Sequence, residues 1–244
     1  MSAPLFLVES LPTADTAILE GAEGHHAATV QRLRVGEELL LADGRGGTAA
    51  AVVTAVGKGV LDVRITSRGY TDAPAHRLVV VQGLAKGERG ELAVQAMTEV
   101  GVDEIVPWTA ARSVTQWRGD RGVRAREKWV ATVREATKQA RRAWLPVVAG
   151  TPDEATSQVA GRIAGAAAAY VLHEQAEERL VTAELPDGGE IVLVVGPEGG
   201  VAPAELTAFV AAGAQTVRLG PSVLRTSTAG VAALSVLAAR LGRW

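Results

Sequence analysis

The sequence predicts an α/β protein in two parts, a small β-rich domain followed by a larger domain built on a parallel sheet. Three observations support this. From about Arg77 onward, short apolar strands alternate with helical patterns, the order expected of a parallel sheet with crossover helices. Before about residue 68, short β-branched or alternating runs are separated by glycine turns, which points to a small barrel. Residues 191–230 hold two glycine-proline loops with a helix between them, each directly after a short apolar strand.

In the first part, residues 5–8, 38–42, 48–56 and 60–66 read as strands, and residues 25–33 as a short helix between the first two. Asp43-Gly44-Arg45-Gly46-Gly47 and Gly57-Lys58-Gly59 supply the turns. Arg68-Gly69-Tyr70-Thr71-Asp72-Ala73-Pro74 has turn residues and no periodicity, and reads as a linker. In the second part, residues 78–82, 104–108, 146–149, 169–173, 191–195 and 216–218 read as strands. Residues 88–100 form a helical pattern with Leu92, Ala96 and Val100 on one face and Ala93 and Met97 beside it. Further helices are expected over residues 124–143, 153–165, 176–183, 203–212 and 228–241, the fifth of these opened by Pro203.

Composition narrows the function classes. With 48% apolar residues in 244, a sizeable core is expected. The chain has no cysteine, so disulfides, thiolate metal sites and cysteine nucleophiles are excluded together, in keeping with a cytoplasmic setting. Its first twenty residues lack a basic region and carry Asp15 and Glu20, unlike a signal peptide. No apolar run is long enough for a membrane span, and no membrane partner is expected.

Net charge is only −2, but it is unevenly spread. Residues 112–144 hold ten Lys or Arg against three acidic residues, giving +7 there and −9 elsewhere. Such a basic segment on an acidic chain is a footprint for a polyanion. The bland alternative is a solvated helix with ion pairs one turn apart. Glu127 and Glu135, however, have Ala131 and Gln139 four residues on, so such pairing does not absorb the excess.

The loops are Gly196-Pro197-Glu198-Gly199-Gly200 and Leu219-Gly220-Pro221-Ser222-Val223-Leu224-Arg225-Thr226-Ser227-Thr228-Ala229. Ligands of open α/β sheets lie at the carboxyl ends of strands, and glycine lets main-chain groups approach them. Neither a Walker-type nor a dinucleotide glycine fingerprint is present, which disfavours ATP and NAD. Thr226 or Ser227 could simply cap the last helix. Arg225 could be a surface charge, but its place inside a glycine-proline loop points at least as well to an anion or RNA contact. The four histidines are too scattered for a metal site, none is expected, and no serine has a placed base. Trp129 reads as core, while Trp117 and Trp144, flanked by arginines, could stack on bases.

Together these residues resemble the SPOUT methyltransferases, and more closely the bacterial 16S ribosomal RNA uridine-N3 methyltransferases. Besides the two loops, Gln95-Ala96-Met97-Thr98-Glu99-Val100-Gly101-Val102 is similar to a helix segment of that family. Lys138-Gln139-Ala140-Arg141-Arg142-Ala143-Trp144-Leu145-Pro146 is similar to its Gln-x-x-Arg-x-x-x-Pro element. His25-His26 through Arg32-Leu33-Arg34-Val35-Gly36-Glu37 resembles the start of its N-terminal PUA-like barrel. The resemblance implies a PUA-like RNA-binding β-barrel over residues 1–70 and a SPOUT domain with a C-terminal trefoil knot over residues 75–244. It implies a homodimer binding S-adenosylmethionine through Leu172, Gly196, Glu198, Gly199, Gly200, Leu219, Gly220, Leu224, Thr226, Ser227 and Ala229. RNA contacts are expected from Arg32, Arg34, Lys138, Arg141 and Arg142, and Arg225 is the expected catalytic residue. Two departures stand out: Ser227 occupies a position where the family often has Glu, and the first strand lacks an arginine often found at its start.

The implied activity is methylation of N3 of a uridine in 16S ribosomal RNA near the decoding region, with the small subunit as partner. Such an enzyme must align an activated methyl with the base and favour loss of the imide proton. No residue stands out as proton acceptor. Two alternatives remain at this stage: a related enzyme acting on ribose 2′-OH or another base, and a non-catalytic RNA-binding protein.

Overall fold

The computed structural model describes residues 3–150 and 153–244. The chain divides into two compact units, Met1–Ala73 with Thr137–Leu145, and Pro74–Ala136 with Pro146–Trp244.

The first unit contains β1 (Leu5–Leu7), β2 (Thr16–Leu19), α1 (Gly21–His25), β3 (Glu38–Ala42), β4 (Gly47–Gly57) and β5 (Val60–Tyr70). They form a five-stranded sheet in the order β1-β3-β4-β5-β2, antiparallel except for the β1–β3 pair. Alternation explains the core. Ala49, Ala51 and Val53 of β4 and Leu61, Val63 and Ile65 of β5 point inward with Phe6, Leu39 and Leu41. Strand β5 runs on through Arg68-Gly69-Tyr70, so the expected linker begins only at Thr71. Pairing with Gly47, Thr48 and Ala49 of β4 outweighs the turn-forming character of those residues. Strand β2 is a four-residue edge strand with an exposed Ile18, too short and mixed to read from sequence. The helix expected over residues 25–33 begins earlier, as α1, and continues as a π-helical turn, His26–Val30.

The segment after the long basic helix joins this unit through specific bonds. Gly46 N–H donates to Ala143 O, Leu145 N–H to Gly44 O, and the Trp144 indole N–H to Thr71 O at 2.9 Å. Leu145 packs on Leu5, Leu7 and Ala42.

The second unit contains β6 (His76–Gly83), α2 (Arg89–Glu99), β7 (Glu104–Trp108), most of α3 (Gly119–Gln139), β8 (Val147–Val148), α4 (Thr156–Gly165), β9 (Ala168–Leu172), β10 (Gly189–Val195), α5 (Pro203–Ala211), β11 (Gln215–Val217) and α6 (Thr226–Arg240). Its six strands are all parallel, in the order β11-β9-β10-β6-β7-β8. The central strands are continuous apolar runs because both faces are covered: Leu78–Val81 and Ile191–Val195 are buried throughout. Trp108 is fully buried edge-on to Phe209 at 5.3 Å, a contact worth roughly 0.5–1.5 kcal/mol beyond area burial.

Three expectations are corrected here. No helix forms over residues 176–183: Leu180 N–H donates to Arg218 O and Arg218 N–H to Glu178 O, so the segment pairs with the chain after β11 and keeps only a local turn at Arg179. Helix α2 buries Gly90, Ala93, Val94, Met97 and Thr98, while Leu92 is exposed, because the face that packs on α6 is rotated from the expected one. Helix α3 starts and stops earlier than expected. Arg142 N–H bonds Thr137 O and Arg141 N–H bonds Lys138 O, a Schellman stop with Arg141 at φ 54°, where glycine is usual. No helix among the described residues is long and apolar enough to cross a membrane.

Candidate functional site

The sheet order brings the carboxyl ends of β11, β9, β10 and β6 side by side. Both glycine-proline loops leave from that edge, the first from β10 and the second from β11. Between them lies a pocket of about 440 Å³. Leu172, Gly196, Glu198, Gly199, Gly200, Leu219, Gly220, Leu224, Thr226 and Ala229 line it, as does Arg225. Ser227 does not; it is buried in the first turn of α6. Arg89, Arg112, His173 and Glu174 also line the pocket, and sequence reasoning missed them in this role. Arg112 was visible only as one of ten clustered cations. His173 and Glu174 follow an apolar strand, as ligand loops do, and that was the available signal.

The first loop is pinned by side chains on three sides. Arg112 Nη1 donates to Gly199 O at 3.2 Å. Glu198 Oε1 accepts from Lys86 N–H at 3.1 Å and from Arg89 Nη1 at 3.2 Å. Thr226 Oγ1 donates to Gly196 O at 2.8 Å. Burial works to raise the Glu198 carboxyl pKa. The backbone N–H groups of Glu198 and Lys86 and the Arg89 guanidinium outweigh it, and the group is held below its usual range. Close approach explains two glycines. A Cβ on Gly199 would lie 2.9 Å from Arg112 Cβ, and one on Gly83 would lie 2.6 Å from Pro197 N.

The second loop is open. Residues 221–225 are all exposed, and the chain is fixed at the helix end, where Arg225 O accepts the N–H groups of Thr228 and Ala229. Arg225 has no carboxylate partner among the described residues. His173 Nδ1 takes the Gln175 N–H at 3.2 Å, so the neutral ring presents Nε2–H, a donor and not a base.

A larger hollow of about 510 Å³ lies beside Asp153, Glu154 and Glu205. Its buried carboxylate is already used: Glu205 accepts from Ala111 N–H, Ala202 N–H and the Thr156 hydroxyl at 2.7, 2.9 and 3.0 Å. It holds loops together and leaves the pocket between the glycine loops as the site.

The expected RNA-contact residues all fall in the first unit. Arg32, Arg34 and Arg141 are exposed and Arg142 half-buried. Lys138 is 7% exposed, with its ammonium 3.3 Å from Glu23 and 3.1 Å from His26 Nδ1, so it serves the interior and not a phosphate. The basic excess is partly spent in other ways: Lys128 pairs with Glu91 at 2.7 Å, and Arg126 donates to Val148 O. Trp117 packs edge-on against the buried Trp129 at 4.9 Å.

A family model described as an RNA methyltransferase domain matches residues 71–238, and one described as an RNA methyltransferase PUA domain matches residues 19–66. The chain is 46% identical over its whole length to ribosomal RNA small subunit methyltransferase E of Mycobacterium bovis, of which it covers 94%. It resembles the crystal structure of the protein of that name from Neisseria gonorrhoeae bound to S-adenosyl methionine, with TM-score 0.86, 26% identity and 98% of each chain covered. A Legionella pneumophila methyltransferase in complex with the same cofactor gives TM-score 0.82 at 27% identity, covering 98% of this chain and 97% of that one. With a whole-length relative this close and a family model over most of the sequence, the chain belongs to the ribosomal RNA small subunit methyltransferase E family.

Proposed function

We propose that this protein binds S-adenosylmethionine between its two glycine-proline loops and methylates N3 of a uridine in 16S ribosomal RNA, near the decoding region of the small subunit. The observation that carries the reading is the pocket itself, walled by glycine main chain and apolar side chains with Arg89, Arg112 and Arg225 also in its lining, at the carboxyl edge of a parallel sheet. Its residues suit the cofactor. Leu172, Val195, Val217 and Leu219 offer apolar walls for an adenine, and glycine main chain offers hydrogen bonds.

When bound, S-adenosylmethionine supplies a methyl already activated on a sulfonium sulfur, which keeps the C–S bond pair as the N–C bond forms. The chain's own residues align and polarise. Arg225, on the pocket wall and exposed, favours the imide anion that uracil becomes as N3 gives its proton to solvent water. Arg32 and Arg34, in a PUA-like barrel over residues 1–70, contact RNA phosphates together with Arg141 and Arg142, which follow α3 and belong to the same compact unit, and this unit carries the substrate to a SPOUT domain that makes up most of residues 75–244. The loops thread as a trefoil knot, and the protein works as a cytoplasmic homodimer.

Calorimetry tests the cofactor reading. S-adenosylmethionine and its demethylated product should bind, with NAD and ATP silent. The reverse result would remove the basis of the proposal.

A further inference from the structure

We propose that Gln82 is a positioning residue that ties the two loops together through Thr226 and so sets how tightly the pocket holds its cofactor. The inference rests on the cofactor reading above. Gln82 lies near the end of β6, in register with Val195 at the end of β10. It is fully buried and lies outside the pocket lining. Its Nε2 donates to Gly83 O at 3.1 Å and to Thr226 Oγ1 at 2.9 Å, and Thr226 Oγ1 donates to Gly196 O at 2.8 Å.

The direction of this relay is forced. Gly83 O and Gly196 O can only accept. The amide must therefore face Gly83 with its nitrogen, and the single hydroxyl proton of Thr226 must go to Gly196. The hydroxyl can then only accept from Gln82. Three segments are joined in this way: the end of β6, the first residue of the first loop, and the first residue of α6 directly after the second loop.

A second observation separates this role from simple filling of the core. Gln82 Oε1 is buried with no hydrogen-bond partner among the described residues. A buried amide that leaves its acceptor unused, where Met or Leu would occupy similar space, is there for its donors. Packing sharpens the point, because a Cβ added at Gly83 would come within 2.6 Å of Pro197 N, so β6 and the first loop lie too close for any side chain there. The hydrogen bonds therefore act on a loop already held close.

The test uses full-length protein. Gln82→Met removes both donors at nearly constant volume. Without cofactor, amide exchange at Glu198, Gly199 and Gly200 should speed up about tenfold, the effect of losing one hydrogen bond. The Kd for S-adenosylmethionine should rise by a similar factor of about ten, with turnover at saturation within about twofold of wild type. Adding Gln82→Met to Thr226→Val should cost nothing further, because the two act in one chain. Gln82→Glu adds a pH signature. Burial raises its carboxyl pKa; the protonated acid can donate one of the two lost hydrogen bonds and the carboxylate neither, so affinity should recover in part near pH 5.5 and fall as pH rises, while wild type stays flat over that range. Unchanged exchange in Gln82→Met, additive losses, or a flat Gln82→Glu profile would overturn the proposal. If Gln82→Met does not fold, the Gln82→Glu profile decides. A wild-type protein silent toward S-adenosylmethionine refutes the cofactor reading instead, and the exchange rates still judge the relay.

Discussion

The two glycine-proline loops face one pocket but are held in different ways. The first is fixed from outside: Arg112 holds the Gly199 carbonyl, Lys86 and Arg89 hold Glu198, and Thr226 holds Gly196. The second presents five successive exposed residues, with Val223 and Leu224 among the exposed apolar side chains. One loop is a preset wall, and the other is a surface that a ligand must cover. A preset wall reduces the ordering cost of binding, and an open one leaves room for a macromolecular substrate to reach the reacting atom.

The sharpest way to break this contrast is steric. Gly83→Ala and Gly199→Val push against the fixed loop, where the new Cβ would meet Pro197 N or Arg112. S-adenosylmethionine affinity should fall on the order of 100-fold, read by calorimetry. Gly220→Ala, whose Cβ meets nothing within 4 Å, should change it less than about threefold. Equal losses at Gly199 and Gly220 would erase the distinction.

Arg225 is the next test, since it places chemistry on the open loop. Arg225→Ala should lower turnover about 100-fold while RNA affinity falls little. Full turnover at saturating substrates would remove it from the reacting base.

A smaller effect sharpens the contrast between the two units. Among the described residues the only non-glycine positions with positive φ are Arg32 at 56° and Arg141 at 54°. Glycine would be less strained at both, so a cation held there points to function. Arg141→Gly should raise the melting temperature by a few degrees while flattening the salt dependence of RNA binding by about one unit of slope. An unchanged slope would make the arginine merely structural.

The smallest effect is on pH. Glu198 is held below the ordinary carboxylate range, so its contribution is complete above the unfolded value of about 4.3 and is lost as pH falls through the lower folded value. Cofactor affinity should stay flat from neutral pH down through the ordinary carboxylate range and weaken only below it, and Glu198→Gln should lack that last step.

Much of this was legible because it rests on local pattern. The apolar runs before each loop announced central parallel strands, and glycine with proline marked where the chain turns back to a ligand. The first loop's supports were not legible. Arg89, Arg112 and Gln82 lie more than 80 residues before the groups they hold, and only the sheet order brings them together. Lys138 misled for the same reason: its neighbours in sequence are cations, but its partner is Glu23. The end of α3 was hidden because Arg141 takes the place of the glycine that usually announces such a stop. The missing helix over residues 176–183 was lost to a bridge with Arg218 that no local pattern records.

The most direct measurement is the product itself. Small-subunit particles from a strain lacking this gene would be incubated with the protein and labelled S-adenosylmethionine, and the RNA digested to nucleosides for mass spectrometry. The expected result is label in N3-methyluridine, absent when the Gly199→Val protein is used. Label in a 2′-O-methyl nucleoside or another base, or no transfer by a protein that binds the cofactor, would contradict the proposed reaction.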